Sequence, residues 1–383
     1  MKNLDDFNFY DKTVLLRADL NSEVDKGKVI FSERIKEASN SIFELKRRGA
    51  RVVVISHQGR PGDNDFTNLS THAKYLRKYG YLKFIDDIIG DKAIKAIEKL
   101  EIGEVILLDN IRFEKDEFEP EKENNKLIKK LVPLIHIYVN DAFSICHRKQ
   151  TSIVSFPNHL PSCAGRLLEK ELEAIEKLDV TNSLLILGGA KPEDNIKLIK
   201  ANKENKILTC GFFCHLCLIA SGIKLGEQEE YLKKEIKEFD EIIAYLKKNV
   251  KNLELPIDLA IENNGYRKEI LIEELPIDKR IFDIGSKTIE KYISETKKAK
   301  SIFLKGPSGF YSDKKFRKGT YEILKAISKS KAFSLIGGGH SNEAIKKCRI
   351  KKKRFGYVSL SGGALISYLA GEKLPGLQAL EKW

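Results

Sequence analysis

Arginines placed just beyond apolar, β-branched runs are the first residues in this chain that could do chemistry. Asp19 and Asn21 follow TVLLRA, His57 and Arg60 follow RVVVIS, Arg112 follows EVILLDN, and His147 and Arg148 follow YVNDAFSI. Arg34 stands in FSERIKEA, where the first long helical pattern begins. A guanidinium is planar and permanently charged, and it grips a carboxylate or phosphate with two parallel N–H donors. In parallel α/β sheets, ligands collect outside the carboxyl ends of the strands. Any one of these side chains is ordinarily a surface or ion-pair residue. Several cations at successive strand ends would line one crevice, and Asp19 among them could bind a substrate hydroxyl or orient an arginine.

The second half repeats a different unit: strand, glycine turn, helix. Gly188, Gly189, Ala190 and Lys191 form one turn, and Gly337, Gly338 and Gly339 another. Gly362 and Gly363 form a third, and GPSG at 306–309 a fourth. Each helix that follows offers free N–H donors and a positive dipole end, and Lys191 adds a point charge. Neither G-x-x-x-x-G-K-[ST] nor G-x-G-x-x-G occurs at these turns, which disfavours a P-loop or a standard dinucleotide fold. Ten of the fifteen arginines precede residue 171, whereas eighteen of the twenty-six glycines follow it. The halves are therefore suited to different anions, a small acid first and a nucleotide second.

Cys210, Cys214 and Cys217 have C-x3-C-x2-C spacing, which in another enzyme class holds an iron–sulfur cluster. They directly follow the strand KILTC and recur at helical spacing, so buried thiols on one helix face are the expectation.

The elements that must position these residues alternate along the chain. TVLLRADL, RVVVISH, EVILLDN and IHIYVNDAF read as buried strands with helical stretches between them. SLLILGGAK, NKILTCG, KSIFLKGPSG, KAFSLIGGGHS and YVSLSGG repeat the plan. The expected fold class is α/β: two Rossmann-like domains, each a parallel sheet flanked by helices, joined by an interdomain helix. The expected division is 1–163, a helix or hinge at 164–180, a second domain at 181–366, and a segment at 367–383 returning to the first. Apolar residues Leu167, Leu168, Leu172, Ala174, Ile175 and Leu178 recur at helical spacing across that joint.

The chain has 383 residues, 42% hydrophobic and 32% charged, enough for two cores. Six sparse cysteines show no disulfide framework, and no apolar run of about 18 residues appears. MKNLDDFNFYDK has no signal-peptide pattern, so a soluble, cytoplasmic protein with no membrane partner is expected. The net charge of +13 is spread among acidic residues, apart from KKCRIKKKRF at 346–355. No nucleic-acid partner is expected; a diffuse field drawing in anionic substrates fits better.

The motifs together resemble phosphoglycerate kinase from about residue 11 to the C-terminus. KTVLLRADLNSEVD, VVVISHQGRPGD, VILLDNIRFEKDE, YVNDAFSICHRKQTS and AGRLLEKEL are similar to successive family segments. LGGAKPED, LELPIDLAIE, FDIGSKTI, GPSGFYSDKKFRKGT, IGGGHSNEA and SLSGGA follow in the family's order. The resemblance implies reversible phosphoryl transfer between 1,3-bisphosphoglycerate with ADP and 3-phosphoglycerate with ATP, by domain closure, in a monomer. It implies that Asp19, Asn21, Arg34, His57, Arg60, Arg112 and Arg148 hold 3-phosphoglycerate. It places Mg-ATP or Mg-ADP on Gly188, Gly189, Lys191, Gly211, Lys305, Pro307, Gly309, Gly337, Gly338, Gly339, His340 and Ser341. Arg34, Lys191, Gly338 and Gly362, with Gly339 and Gly363, would meet the transferred group. Such a transfer needs positioning and charge neutralisation and no general base, in keeping with the lack of a catalytic carboxylate pair.

Departures from the family pattern leave an alternative open. Asn195 stands where a second Lys is common, His340 and Ser341 replace an Asp-Thr, and Lys305 replaces an Asn before G-P. Ser312 falls where a ribose-binding Glu is usual, Cys210 interrupts a glycine run, and Leu360 and Ser361 alter another. A non-catalytic or impaired nucleotide- and anion-binding homologue is the competing expectation, and the metal contact is left undetermined.

Overall fold

The computed structural model describes residues 1–249 and 252–383 and divides into two units. Met1–Glu173 with Lys373–Trp383 form the first, and Ala174–Glu372 the second.

In the first unit six strands lie in the order Lys83–Ile85, Val105–Leu108, Arg51–Ile55, Thr13–Ala18, Ile137–Asp141, Ser162–Ala164, all parallel. Thr13–Ala18 and Ile137–Asp141 are buried along their whole length, as expected of central strands covered on both faces. Leu16, Val54, Val139 and Ile42 sit in one core with helix Glu33–Arg47. The C-terminal helix Pro375–Leu380 belongs to this unit: Gly376 N–H donates to the Cys146 carbonyl at 2.9 Å, and Trp383 Nε1 to that of Pro157 at 2.7 Å.

The second unit has its own parallel sheet, in the order Leu253–Glu254, Ile207–Thr209, Leu184–Leu187, Ser301–Lys305, Phe333–Gly337, Tyr357–Val358. Taken in chain order this is the doubly wound arrangement 3-2-1-4-5-6. Both sheets bear out the expected α/β class. A further sheet was not read from the sequence: Asp258–Asn263 pairs antiparallel with Tyr266–Leu271 and Ile281–Ile284. Asn264 and Gly265 close its hairpin with φ of 50° and 82°, the conformation a two-residue turn requires.

Helix Arg166–Glu176 runs across the division between the units. Its first turn is tied to the first unit. Asp141 Oδ1 accepts from the amides of Leu167 and Leu168 at 2.7 and 3.2 Å, and Arg166 bonds Glu44, Asp5 and Glu169.

Cys210, Cys214 and Cys217 are fully buried on or just before helix Gly211–Ala220. Cys210 and Cys214 belong to the hydrophobic core, where burial pushes the thiol of Cys210 up to about 12. Such protonated thiols are core residues.

Candidate active site: an arginine cluster and a glycine cradle

At the carboxyl end of the first sheet, the chain turns just after each central strand and leaves polar residues there. Asp19, 2% exposed, accepts from Ser144 Oγ at 2.6 Å and pairs with Arg34 Nε at 3.3 Å. Arg34 Nη1 also donates to the Asn21 carbonyl at 3.3 Å, and Asn21 Oδ1 accepts the Gly59 amide at 2.9 Å. Gly59 has φ of 67°, and a Cβ there would lie 2.5 Å from Asp65, so the loop carrying His57 and Arg60 needs glycine at that point.

Arg17, fully buried on Thr13–Ala18, was not singled out from the sequence, although a charge inside an apolar strand was the available signal. Its Nε donates to Ser152 Oγ at 2.8 Å, and Ser152 Oγ donates on to Glu117 at 2.6 Å. Burial pulls Arg17 down and Glu117 up, and each charge draws the other back. Arg17 Nη2 lies 3.2 Å from His57 Nδ1. A guanidinium only donates, so Nδ1 accepts and the imidazole carries its proton on Nε2. Burial, then the charges of Arg17, Arg112, Arg34 and Arg148, hold His57 well below its ordinary value. It is a neutral donor among cations.

Arg112 is 4% exposed, donates to the Gly59 carbonyl, and has a buried Nε with no partner among the described residues. Burial first, then Arg17, Arg148 and Arg60, bring it down to about 10. Arg148 is lowered by burial and by Arg60. These mutual influences bring Arg17, Arg34, Arg60, Arg112 and Arg148 into one neighbourhood with His57. Glu117 offsets Arg17 and Asp19 offsets Arg34, so the repulsion that an anion would relieve is chiefly that among Arg60, Arg112 and Arg148.

A cavity of 620 Å³ at the outer edge of the first sheet, lined by Lys46, Lys83, Lys92, Lys95 and Lys99 among apolar residues, includes none of these residues. It is not this site.

In the second unit four helices start at the carboxyl end of the sheet: Pro192–Ala201, Gly211–Ala220, Gly339–Lys347 and Gly363–Leu369. Three loops nest against one another beneath them. A Cβ on Gly306 would lie 2.6 Å from the Gly188 carbonyl, and one on Gly211 would lie 2.7 Å from the Gly189 nitrogen. The Gly188, Gly189 and Gly211 amides donate to the carbonyls of Lys305, Pro307 and Ser308 at 2.8, 2.9 and 3.0 Å. These glycines therefore let backbones approach, and their own amides are spent on holding the loops. Gly188 lies behind the wall. The amides at Gly338, Gly339, Gly362 and Gly363 stand at helix starts, where no intrahelical acceptor exists.

A 130 Å³ cavity, the size of a phosphate group or two, is lined by Gly189, Lys191, Lys305, the Gly337–Gly339 turn, His340, Ser341, Gly362 and Gly363. Ser341 Oγ accepts the Gly306 amide at 2.9 Å and so clamps the turn. Lys305 is 8% exposed; its Nζ donates to the Lys191 carbonyl at 2.7 Å and lies 3.4 Å from Asp194. Burial lowers Lys305, and Asp194 pulls it back. Asn195 is fully buried, donates to the Gly188 carbonyl at 3.2 Å, and leaves Oδ1 without a partner among the described residues. A cation is thus absent at position 195 but present, one strand away, at 305.

A second cavity of 550 Å³ shares Gly189, Ala190 and His340 with this one and is lined further by Gly211, Pro307 and Gly309. Among the described residues no group of three or more His, Cys, Asp or Glu could cage a metal. The one carboxylate lining the smaller cavity is Asp194. That donor set fits a Mg2+ carried on nucleotide phosphates and water, with Asp194 as its protein contact.

Two doubly wound units, one gathering arginines and the other helix amides with lysines, define an α/β enzyme that handles phosphorylated anions. The phosphoglycerate kinase family profile matches residues 4–372. Phosphoglycerate kinases of Methanopyrus kandleri and Saccharolobus solfataricus are 40% and 41% identical to the chain. Those alignments cover 99% and 98% of it and 97% and 96% of the relatives. The crystal structure of phosphoglycerate kinase from Pyrococcus horikoshii superposes with a TM-score of 0.90 at 36% identity, covering 100% of this chain and 98% of that one. The chain belongs to the phosphoglycerate kinase family.

Proposed function

We propose that the chain catalyses reversible phosphoryl transfer between 1,3-bisphosphoglycerate with ADP and 3-phosphoglycerate with ATP, as a cytoplasmic monomer. The observation that carries this is the clustering of five arginines around a neutral His57 in one unit. The other unit supplies a cradle of helix amides with Lys191 and Lys305. Arg60, Arg112 and Arg148 grip the acid's charges, while Asp19, Asn21 and His57 Nε2–H take its remaining oxygens. Arg34, held loosely by Asp19, is the cluster's contact with the phosphoryl in transfer.

On the nucleotide side Lys191, Lys305 and the amides near Gly338, Gly339, Gly362 and Gly363 neutralise the equatorial oxygens. Mg2+ bound with the nucleotide supplies further charge neutralisation. With each substrate assigned to its own unit, turnover requires the units to close and exclude water. Lys305 argues against the non-catalytic alternative, since it returns to the cradle a cation that Asn195 lacks.

A coupled assay with 3-phosphoglycerate and Mg-ATP tests the reading. Turnover that collapses in Arg34→Ala and Lys191→Ala supports it; binding of both ligands without turnover in the native protein overturns it.

A further inference from the structure

The 550 Å³ cavity has polar groups that the phosphates do not explain. Its inner wall is shared with the phosphate cradle, so its outer wall is where a nucleotide's base would lie. That wall is aromatic: Phe212 meets Tyr231 edge-on at 5.9 Å, and Phe282 and Phe310 lie across from them. Arg280 is stacked on it, its guanidinium carbon 3.1 Å from the Tyr231 ring centroid and 5.9 Å from that of Phe282.

Arg280 Nε donates to Gln228 Oε1 at 2.9 Å, which fixes the plane of the group. Gln228 is itself fully buried and accepts the Ile281 amide as well. The two terminal nitrogens of Arg280 meet no acceptor among the described residues, and Arg280 is the only Lys or Arg among the described residues lining this cavity. Beside it His215, 3% exposed, has an Nδ1 without a partner among the described residues. Burial, then Arg280, holds His215 down to about 3, so it is uncharged.

A rigidly held guanidinium recognises two adjacent acceptors. The N7 and O6 edge of a 6-oxopurine offers that pair, whereas adenine sets a donor, the N6 amino group, beside N7. We propose that Arg280 is a specificity-determining residue that lets the nucleotide site take guanine and hypoxanthine nucleotides at least as readily as adenine nucleotides. The inference rests on the assignment of this unit to the nucleotide.

The test compares kcat/KM for Mg-ATP, Mg-GTP and Mg-ITP in the native protein and in Arg280→Met, which keeps the stem over Tyr231. In the native protein GTP and ITP are expected to match or exceed ATP. The substitution should lower both by about tenfold or more and ATP by less than about threefold. ATP favoured over both in the native protein, or an equal loss for all three in the variant, overturns the proposal. The native comparison stands even where the variant fails to fold. Calorimetry with Mg-GDP and Mg-ADP reads the base preference without turnover. A protein that binds GDP at least as tightly as ADP yet transfers nothing refutes the catalytic reading alone. One that turns over but binds ADP more tightly refutes this inference alone.

Discussion

Replacing Lys305 by Met is the substitution that most directly tests the cradle. The ammonium is held at 2.7 Å from the Lys191 carbonyl and 3.4 Å from Asp194, leaving one of its three N–H donors for a ligand in the 130 Å³ cavity. A charge placed about 3.5 Å from a phosphoryl oxygen is worth about 5 kcal/mol at an effective dielectric constant of about 20. Asp194 on the other side offsets part of that attraction. Loss of one preorganised donor of this kind ordinarily removes about 10²–10³ from kcat, and that is the expected fall. The Met side chain keeps the apolar stem, and a buried ammonium whose proton affinity is already lowered contributes little to folding, so the thermal midpoint should hold or rise. The assay is coupled turnover with 3-phosphoglycerate and Mg-ATP, together with calorimetric affinity for Mg-ADP. The loss should fall mainly on kcat, with ADP affinity changed by less than about tenfold. A folded Lys305→Met protein with kcat within about threefold of native would refute the idea that this lysine replaces the cation missing at Asn195.

Arg60→Ala should raise KM for 3-phosphoglycerate by about 10- to 100-fold through loss of a charge-assisted contact, while the Kd for Mg-ADP stays unchanged. A parallel loss for both ligands would mean that the acid is assigned to the wrong unit. Arg17→Met leaves Glu117 buried without its counter-charge and should cost about 3–5 kcal/mol in a denaturant titration. The double variant with Glu117→Gln should recover most of this, and a single variant costing nothing would show that the Ser152 bridge carries no energy. His72, depressed to about 4 by burial, takes its proton in the unfolded chain near pH 6.5 but not in the folded one. Stability is therefore lost as pH falls through that window, at about 1.4 kcal/mol per unit. Asp141 and Asp283, raised to about 7 and about 6, act in the opposite sense, so the readout is the native protein minus His72→Gln. That difference should reach about 3 kcal/mol between pH 6.5 and 4, and a flat difference would sink the assignment.

Strands such as Thr13–Ala18 and Leu184–Leu187 were legible because a parallel strand covered on both faces must be a continuous apolar run, and the polar residue that ends it marks the ligand side. The arginines and glycine turns followed from that alone. Short edge strands such as Lys83–Ile85 and Ser162–Ala164 were not, since three residues carry no periodicity to read. The hairpin at Asn264–Gly265 had a sequence signal that the expectation of all-parallel sheets passed over.

Residue types and their order along the chain therefore determined the fold class of each half and the polar groups at its strand ends, because local pattern decides which side chains a strand end exposes. Tertiary structure alone decided how those groups are used. It spent the Gly188, Gly189 and Gly211 amides on loop contacts, set Arg17 against His57, and brought Lys305 beside the gap left by Asn195. Residues far apart in sequence meet only through packing, and which donor remains free depends on which acceptors the fold brings within about 3 Å of it.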